Sequence, residues 1–114
     1  MMSIKRGDIV LVDFTKQAND FIIFGKRPAI VVSNNTANCK SPIISVIPMT
    51  SQNKKPMPTH IIIRGYGLSK SSTVLAEQVQ SVNRANIIKK IGTLANTEDM
   101  QKIDCCLRIQ LGVA

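Results

Sequence analysis

A guanidinium and a hydroxyl stand beside two apolar runs of this sequence. Arg27 and Pro28 directly precede the apolar run 29–32, and Thr50 directly follows the mostly apolar run 43–49. If two such runs are neighbouring antiparallel strands, the start of one and the end of the next lie on the same rim of the sheet. A guanidinium fork can hold a phosphate through two hydrogen bonds, and a hydroxyl can add another. The pattern therefore predicts a phosphate-binding site, and leaves open whether that site also cleaves a phosphodiester.

Polar side chains after Thr50 offer further contacts to a nucleic-acid backbone. Ser51 stands beside Thr50, and Gln52, Lys54 and Lys55 follow shortly after. Hydroxyl and amide groups hydrogen-bond to phosphates, and lysines add an attraction that does not depend on base sequence. We therefore predict that Ser51, Gln52, Lys54 and Lys55 contact the bound nucleic acid.

Three more residues are candidates for the same surface, each with a plainer interpretation beside it. His60 is the one histidine of the chain and could assist the chemistry of this surface, but a lone histidine at a strand start is more often structural, which we favour. Glu77 and Gln78 interrupt an otherwise apolar run. Their polar groups could hydrogen-bond to a base of a single strand, or they could form a polar bend or bulge in the strand.

Other kinds of chemistry find no support in the sequence. A metal site needs several ligands that converge, and a single His60 with scattered acids offers none. No glycine-rich phosphate loop precedes a helix, and no G-x-S-x-G elbow indicates a nucleophilic serine. We therefore expect neither a metal nor another cofactor.

Composition favours a polyanionic partner. The 114 residues include 15 Lys and Arg against 7 Asp and Glu, a net charge of +8, which attracts RNA, DNA or an acidic protein segment. A purely solubilising role of the charge is the alternative. The chain is long enough for one domain, which we expect over residues 1–114. No apolar run approaches the roughly 20 residues of a membrane-spanning helix, so we expect a cytoplasmic protein without a membrane partner.

The apolar pattern predicts a small, mainly β protein. Six short strands are expected, at 8–14, 28–34, 41–49, 59–63, 72–82 and 87–94. Their connections are too brief for helical crossovers, so the strands should form a strongly bent antiparallel barrel or sandwich. Only the end of the chain is predicted to be helical, from an N-cap at Thr97 to Gly112. Its apolar face could cover the barrel or meet a second subunit.

The three cysteines fit no metal site and no disulfide framework. Cys105 and Cys106 are adjacent, and Cys39 is far from both in the sequence. We expect mostly buried thiols in a reducing compartment.

Six stretches of the chain together resemble the toxins of the MazF/PemK type of toxin–antitoxin pair. They are "KRGDIVLVDF", "KRPAIVVSN", "PMTSQ", "PTHIII", "STVLAEQVQSV" and "IGTLANTEDMQKIDCCLRIQLG", in that order over nearly the whole chain. The resemblance implies an SH3-like barrel with a terminal helix, a homodimer, and metal-independent, sequence-specific cleavage of single-stranded RNA. It also implies a partly disordered, acidic antitoxin as partner.

The resemblance assigns catalysis to the arginine of the RP element and the threonine of the TSQ element, here Arg27 and Thr50. Cleavage would proceed by attack of a ribose 2′-hydroxyl on the adjacent phosphate, which leaves a cyclic phosphate and a 5′-hydroxyl. Arg27 can stabilise the charge of that transition state, whereas a guanidinium keeps its proton and is a poor base. The loop 15–26 departs from the family's glycine-rich flap, so no role is assigned to its residues.

Two other functions remain open at this point. A gyrase-poisoning toxin can have the same barrel, and so can a non-catalytic SH3-like RNA-binding module. A pure binder has no reason to require both Arg27 and Thr50 at one phosphate. A gyrase poison would leave purified RNA intact.

Overall fold

Seven short strands and two helices make up the part of the chain that the structure, a computed structural model, describes: residues 2–14, 22–52 and 55–114. Alternating apolar residues of β-branched type favour the strands. In chain order the elements are β1 (Asp8–Phe14), β2 (Gly25–Val31), α1 (Asn35–Lys40), β3 (Ile43–Thr50), β4 (His60–Ile63), β5 (Ser72–Leu75), β6 (Gln80–Asn83), β7 (Ile87–Thr93) and α2 (Glu98–Leu111). The 3₁₀ turns Ala76–Gln78 and Arg84–Asn86 follow β5 and β6.

All strand pairs are antiparallel in this part of the chain, in the order β4–β5–β3–β2–β1–β7. The central strand β3 pairs with β2 along one edge. Along its other edge it pairs first with β6, at Ile44 with Val82, and then with β5, at Met49 with Val74. These pairings confirm the predicted fold class, mainly β and antiparallel with a C-terminal helix. The predicted barrel is not strongly closed in the described residues, because β4 and β7 are the two ends of the strand order.

Alternate residues of the strands fill two apolar clusters, because successive side chains of a strand point to opposite faces. In β2, Ile30 belongs to the first cluster, and Ala29 and Val31 belong to the second. Helix α2 covers the first cluster. Its side chains Met100, Ile103 and Cys106 belong to that cluster and are each at most 7% exposed. The apolar face of α2 therefore packs on its own sheet.

The ends of α2 follow the sequence signals. The Thr97 hydroxyl oxygen accepts a hydrogen bond from the Met100 amide at 3.1 Å, and Gly112 ends the helix in the left-handed region, at φ 67°. Arg6 ties the amino-terminal segment to α2 through two hydrogen bonds to the Asp104 carboxylate, at 2.7 and 3.3 Å. No helix in the described ranges is long and apolar enough to cross a membrane.

The structure corrects the strand bounds most in two places, while β3 spans Ile43–Thr50 instead of 41–49 and β2 ends at Val31 instead of 34. Strand β2 begins at Gly25, ahead of Pro28, because it continues to pair with β1 as far as Phe14. The single strand expected at 72–82 is two strands, β5 and β6, separated by the 3₁₀ turn Ala76–Gln78.

The expectation that only the end of the chain is helical was wrong. Residues Asn35–Lys40 form the one-and-a-half-turn helix α1, which begins where the Asn34 side chain accepts a hydrogen bond from the Ala37 amide at 2.9 Å. The expectation of mostly buried thiols was also wrong, because Cys39 and Cys105 are exposed. Burial, with smaller contributions from Cys105 and Glu77, raises the pKa of the Cys106 thiol.

Candidate functional site

Arg27 and Thr50 lie in one pocket at the end of β3. The pairing of β2 with β3 ends with Ala29 opposite Pro48, so the residues just before Ala29 and just after Pro48 lie at the same rim of the sheet. Both residues line a pocket of about 130 Å³, with Lys26, Pro28 and Ser51 beside them. The structure thus brings together the guanidinium and the hydroxyl that the strand pattern placed on one rim. We call this cavity the Arg27–Thr50 pocket.

The opposite wall of this pocket comes from a segment that the sequence reasoning missed. Leu68, Ser69, Lys70 and Ser72 line it, and the Ser72 hydroxyl donates a hydrogen bond to the Lys70 carbonyl at 3.1 Å. The segment reaches the pocket because β5 pairs with the end of β3, with Thr73 opposite Thr50. The polar run "SKSS" directly before an apolar strand was the available signal. The segment adds the cation of Lys70 and further hydroxyls to the site.

The hydrogen bonds of the two central residues leave donors for a ligand. The Arg27 side chain is exposed, and its Nε donates to the Phe24 carbonyl at 3.3 Å. Its terminal nitrogens have no hydrogen bond or ion pair to any other described residue. Thr50 is only 5% exposed, and its Oγ1 accepts a hydrogen bond from the Gln52 amide at 3.2 Å. A hydroxyl that accepts in this way can still donate its proton to an anion. Together they can bind a phosphate through neutral and charged donors.

The residues after Thr50 extend away from the pocket. Ser51 lines the pocket, and Gln52 and Lys55 are exposed to solvent. Lys54 lies outside the described residues. Within those residues, no group of three or more His, Cys, Asp or Glu side chains could hold a metal ion.

His60 and Glu77 do not line the Arg27–Thr50 pocket but pair with each other. The His60 Nε2 lies 2.7 Å from Glu77 Oε2, and the Thr59 hydroxyl donates to Glu77 Oε1 at 3.1 Å. The His60 side chain is 8% exposed, and its Nδ1 is buried with no hydrogen-bond partner among the described residues. This pair fastens the start of β4 to the 3₁₀ turn after β5.

Glu77 and Gln78 nevertheless face a cavity of their own. With Ile22, Val79 and Gln80 they line a pocket of about 260 Å³. The side-chain oxygen of Gln78 accepts a hydrogen bond from the Ile23 amide at 2.8 Å. The polar bend considered for Glu77 and Gln78 is thus the 3₁₀ turn Ala76–Gln78, and both side chains remain partly exposed.

We expect Glu77→Ala to lower the free energy of unfolding by about 2 kcal/mol, because the largely buried His60 ring and the Thr59 hydroxyl both lose their partner. Urea denaturation followed by circular dichroism measures the change. Gln80→Ala is the matched control, since Gln80 lines the same cavity without bonding to His60. Equal stability of the two variants would contradict a structural role of the pair.

Comparison with known proteins identifies relatives over almost the whole chain. The model of the family described as PemK-like, MazF-like toxin of type II toxin–antitoxin system matches residues 5–111. Among solved structures, MazF from Deinococcus radiodurans aligns with a TM-score of 0.84 at 24% identity, over 99% of this chain and 100% of its own.

Two further structures contain a second protein. MazE–MazF from Deinococcus radiodurans aligns with a TM-score of 0.77 at 25% identity, over 100% of both chains. An endoribonuclease in complex with its cognate antitoxin from a Mycobacterial species aligns with a TM-score of 0.80 at 20% identity, over 97% of both chains. The likenesses at 20 and 24% identity show a shared fold.

Proposed function

This chain belongs to the PemK-like, MazF-like toxin family of type II toxin–antitoxin systems, and from that premise we propose that it is an endoribonuclease whose Arg27 and Thr50 act in the cleavage of single-stranded RNA. The observation that carries the proposal is the meeting of these two residues in one pocket. Two of the structural relatives are described as endoribonucleases, one of them in complex with its antitoxin.

The pocket supplies what an attack by a neighbouring 2′-hydroxyl requires at the phosphate. The 2′-oxygen loses its proton and bonds to phosphorus, the bond from phosphorus to the 5′-oxygen breaks, and the 5′-oxygen takes up a proton. The products are a 2′,3′-cyclic phosphate and a 5′-hydroxyl. Negative charge on the phosphate oxygens increases in the transition state, where fixed donors stabilise it most. The Arg27 guanidinium and the Thr50 hydroxyl are these donors, and the reaction is proposed to need no metal or other cofactor.

The remaining candidate residues extend this site to the rest of the RNA. Ser51 adds a hydroxyl inside the pocket, and Gln52, Lys54 and Lys55 contact the backbone beyond it. Glu77 and Gln78 contact a base, which their position at a 260 Å³ cavity supports. His60 acts at this second contact by holding the Glu77 carboxylate.

The partners follow from charge and from the relatives. A net charge of +8 suits a cognate acidic antitoxin, and the Mycobacterial endoribonuclease to which this chain is similar was solved in complex with its cognate antitoxin. The protein is proposed to be a cytoplasmic homodimer with one toxin domain over residues 1–114. Leu111 and Val113, which are 58 and 57% exposed near the end of α2, provide apolar surface for a second subunit.

Incubation of the purified protein with several unrelated long single-stranded RNAs in EDTA tests the proposal. We expect cuts at a short recurring sequence, with cyclic phosphate and 5′-hydroxyl ends identified by end-specific labelling and mass spectrometry. The Arg27→Ala protein, purified in the same way, controls for contaminating nucleases. Intact RNA with every substrate would contradict the proposal and favour a gyrase poison or a simple RNA-binding module. Cleavage that appears only when Mg²⁺ replaces EDTA would contradict the metal-independent reaction.

A further inference from the structure

A second cavity adjoins the Arg27–Thr50 pocket. It measures about 460 Å³, and Pro28, Leu68 and Ser69 line both cavities. Because these three residues are shared, the two cavities lie directly beside each other. The new part is lined further by Leu11, Lys89 and Lys90, and we call it the Lys89 groove.

Strand register fixes the direction of the Lys89 groove. Leu11 of β1 pairs with Pro28 of β2 on one side and with Lys89 of β7 on the other. Residues directly opposite one another on paired strands lie on the same face of a sheet. Neighbouring strands are about 4.8 Å apart, so Lys89 lies roughly 10 Å from Pro28 across the sheet. The Lys89 groove thus runs from Pro28, which also borders the Arg27–Thr50 pocket, across β1 to β7.

The groove carries two positive charges, and only one of them is neutralised by an ion pair with a described residue. The Lys90 ammonium is paired with the buried Asp8 carboxylate at 3.0 Å. Lys89 is exposed, and it has no ion pair or hydrogen bond to another described residue. Among the described residues that line the two cavities there is no Asp or Glu. Lys89 is therefore a cation available to an anionic ligand at the β7 end of the Lys89 groove.

We propose that the Lys89 groove binds the phosphate backbone of nucleotides that flank the cleavage site, with Lys89 as the principal contact. The inference rests on the proposed function and adds the path of the RNA on one side of the scissile phosphate. Adjacency to the Arg27–Thr50 pocket favours RNA over an acidic peptide, because an RNA strand bound in that pocket would bring its neighbouring phosphates to the Lys89 groove. A lysine attracts phosphates without reading the bases, so the contact is to the backbone and independent of base sequence.

Binding measurements with Lys89→Gln test this path. The probe is single-stranded RNA with a 2′-deoxy residue at the mapped cleavage position, which prevents the reaction. One form contains little more than the cleavage motif, and a longer form continues well past it on both sides. Dissociation constants are measured over a range of salt concentrations for the wild-type protein, Lys89→Gln and Lys102→Gln. Lys102 is an exposed lysine of α2 that lines neither cavity, so its variant matches the change in charge.

For the long RNA, we expect Lys89→Gln to reduce the slope of log affinity against log salt by about 0.7, the value for one phosphate contact of a single strand. The affinity gained by lengthening the RNA should also fall, and Lys102→Gln should change neither quantity. If the wild-type protein cuts RNA but Lys89→Gln keeps the wild-type slope and length dependence, the inference is wrong and the proposed function stands. Weakened binding of a synthetic acidic peptide without any change in RNA binding would likewise overturn it.

Discussion

Arg27→Ala should lower the rate constant for RNA cleavage by about a hundred- to thousandfold, the usual effect of removing one preorganised donor from a developing negative charge. The substitution removes the only guanidinium that lines the described Arg27–Thr50 pocket, while Lys26 and Lys70 continue to attract the RNA. The loss should therefore appear in the catalytic rate under single-turnover conditions more than in binding. Single-turnover kinetics at saturating protein separates these two effects.

Two further variants define what Arg27 contributes. Arg27→Lys keeps the charge but not the planar fork, so we expect it to recover only part of the lost rate. Arg64→Ala removes an exposed arginine outside the pocket and should leave the rate unchanged. Because Arg27 is exposed and its one described hydrogen bond goes to Phe24, its replacement should not unfold the protein, which a thermal melt checks. Cleavage by Arg27→Ala at the wild-type rate would remove this residue from the proposed mechanism.

Local sequence signals predict the elements whose ends are defined by their own residues. Strand β1 has the expected bounds, and α2 begins after Thr97 and ends at Gly112. The meeting of Arg27 with Thr50 also follows from the sequence, because it needs only two consecutive strands to be antiparallel neighbours. Element ends and the pairing of consecutive strands depend on residues that are close together in the sequence, which is why the sequence predicts them.

Features that depend on distant contacts were beyond the sequence. Strand β2 extends ahead of Pro28 because β1 pairs with it there, and proline by itself indicates a strand start. Lys70 enters the site only because β5 pairs with the end of β3. The sequence pattern does not predict helix α1, because "NTANCK" has no helical period of apolar residues. The N-cap residue Asn34 is the one local feature that indicates the start of this helix. The mutual pairing of His60 and Glu77 likewise joins residues that are 17 positions apart.

Gly92→Ala should lower the free energy of unfolding by about 3 kcal/mol, the upper part of the usual range for overpacking. A methyl group at Gly92 of β7 would overlap the carbonyl oxygen of Tyr66, in the turn that lies against this strand. The turn has little room to yield. A Cβ on Gly67 would lie 2.5 Å from the Ile91 carbonyl oxygen, and the Tyr66 hydroxyl is held by Asp99 at 2.8 Å, a hydrogen bond that also raises the pKa of Tyr66.

The same substitution should slow RNA cleavage in whatever fraction of the protein remains folded. The displaced turn leads directly into Leu68 and Ser69, which line both the Arg27–Thr50 pocket and the Lys89 groove. Gly65→Ala is the matched control, since it adds the same methyl group where no atom lies within 4 Å. Its cost comes from the positive φ alone, about 1 kcal/mol. Urea denaturation measures the free energy of unfolding of both variants. If Gly65→Ala lowers it as much as Gly92→Ala or more, contact between the turn and β7 does not determine stability here.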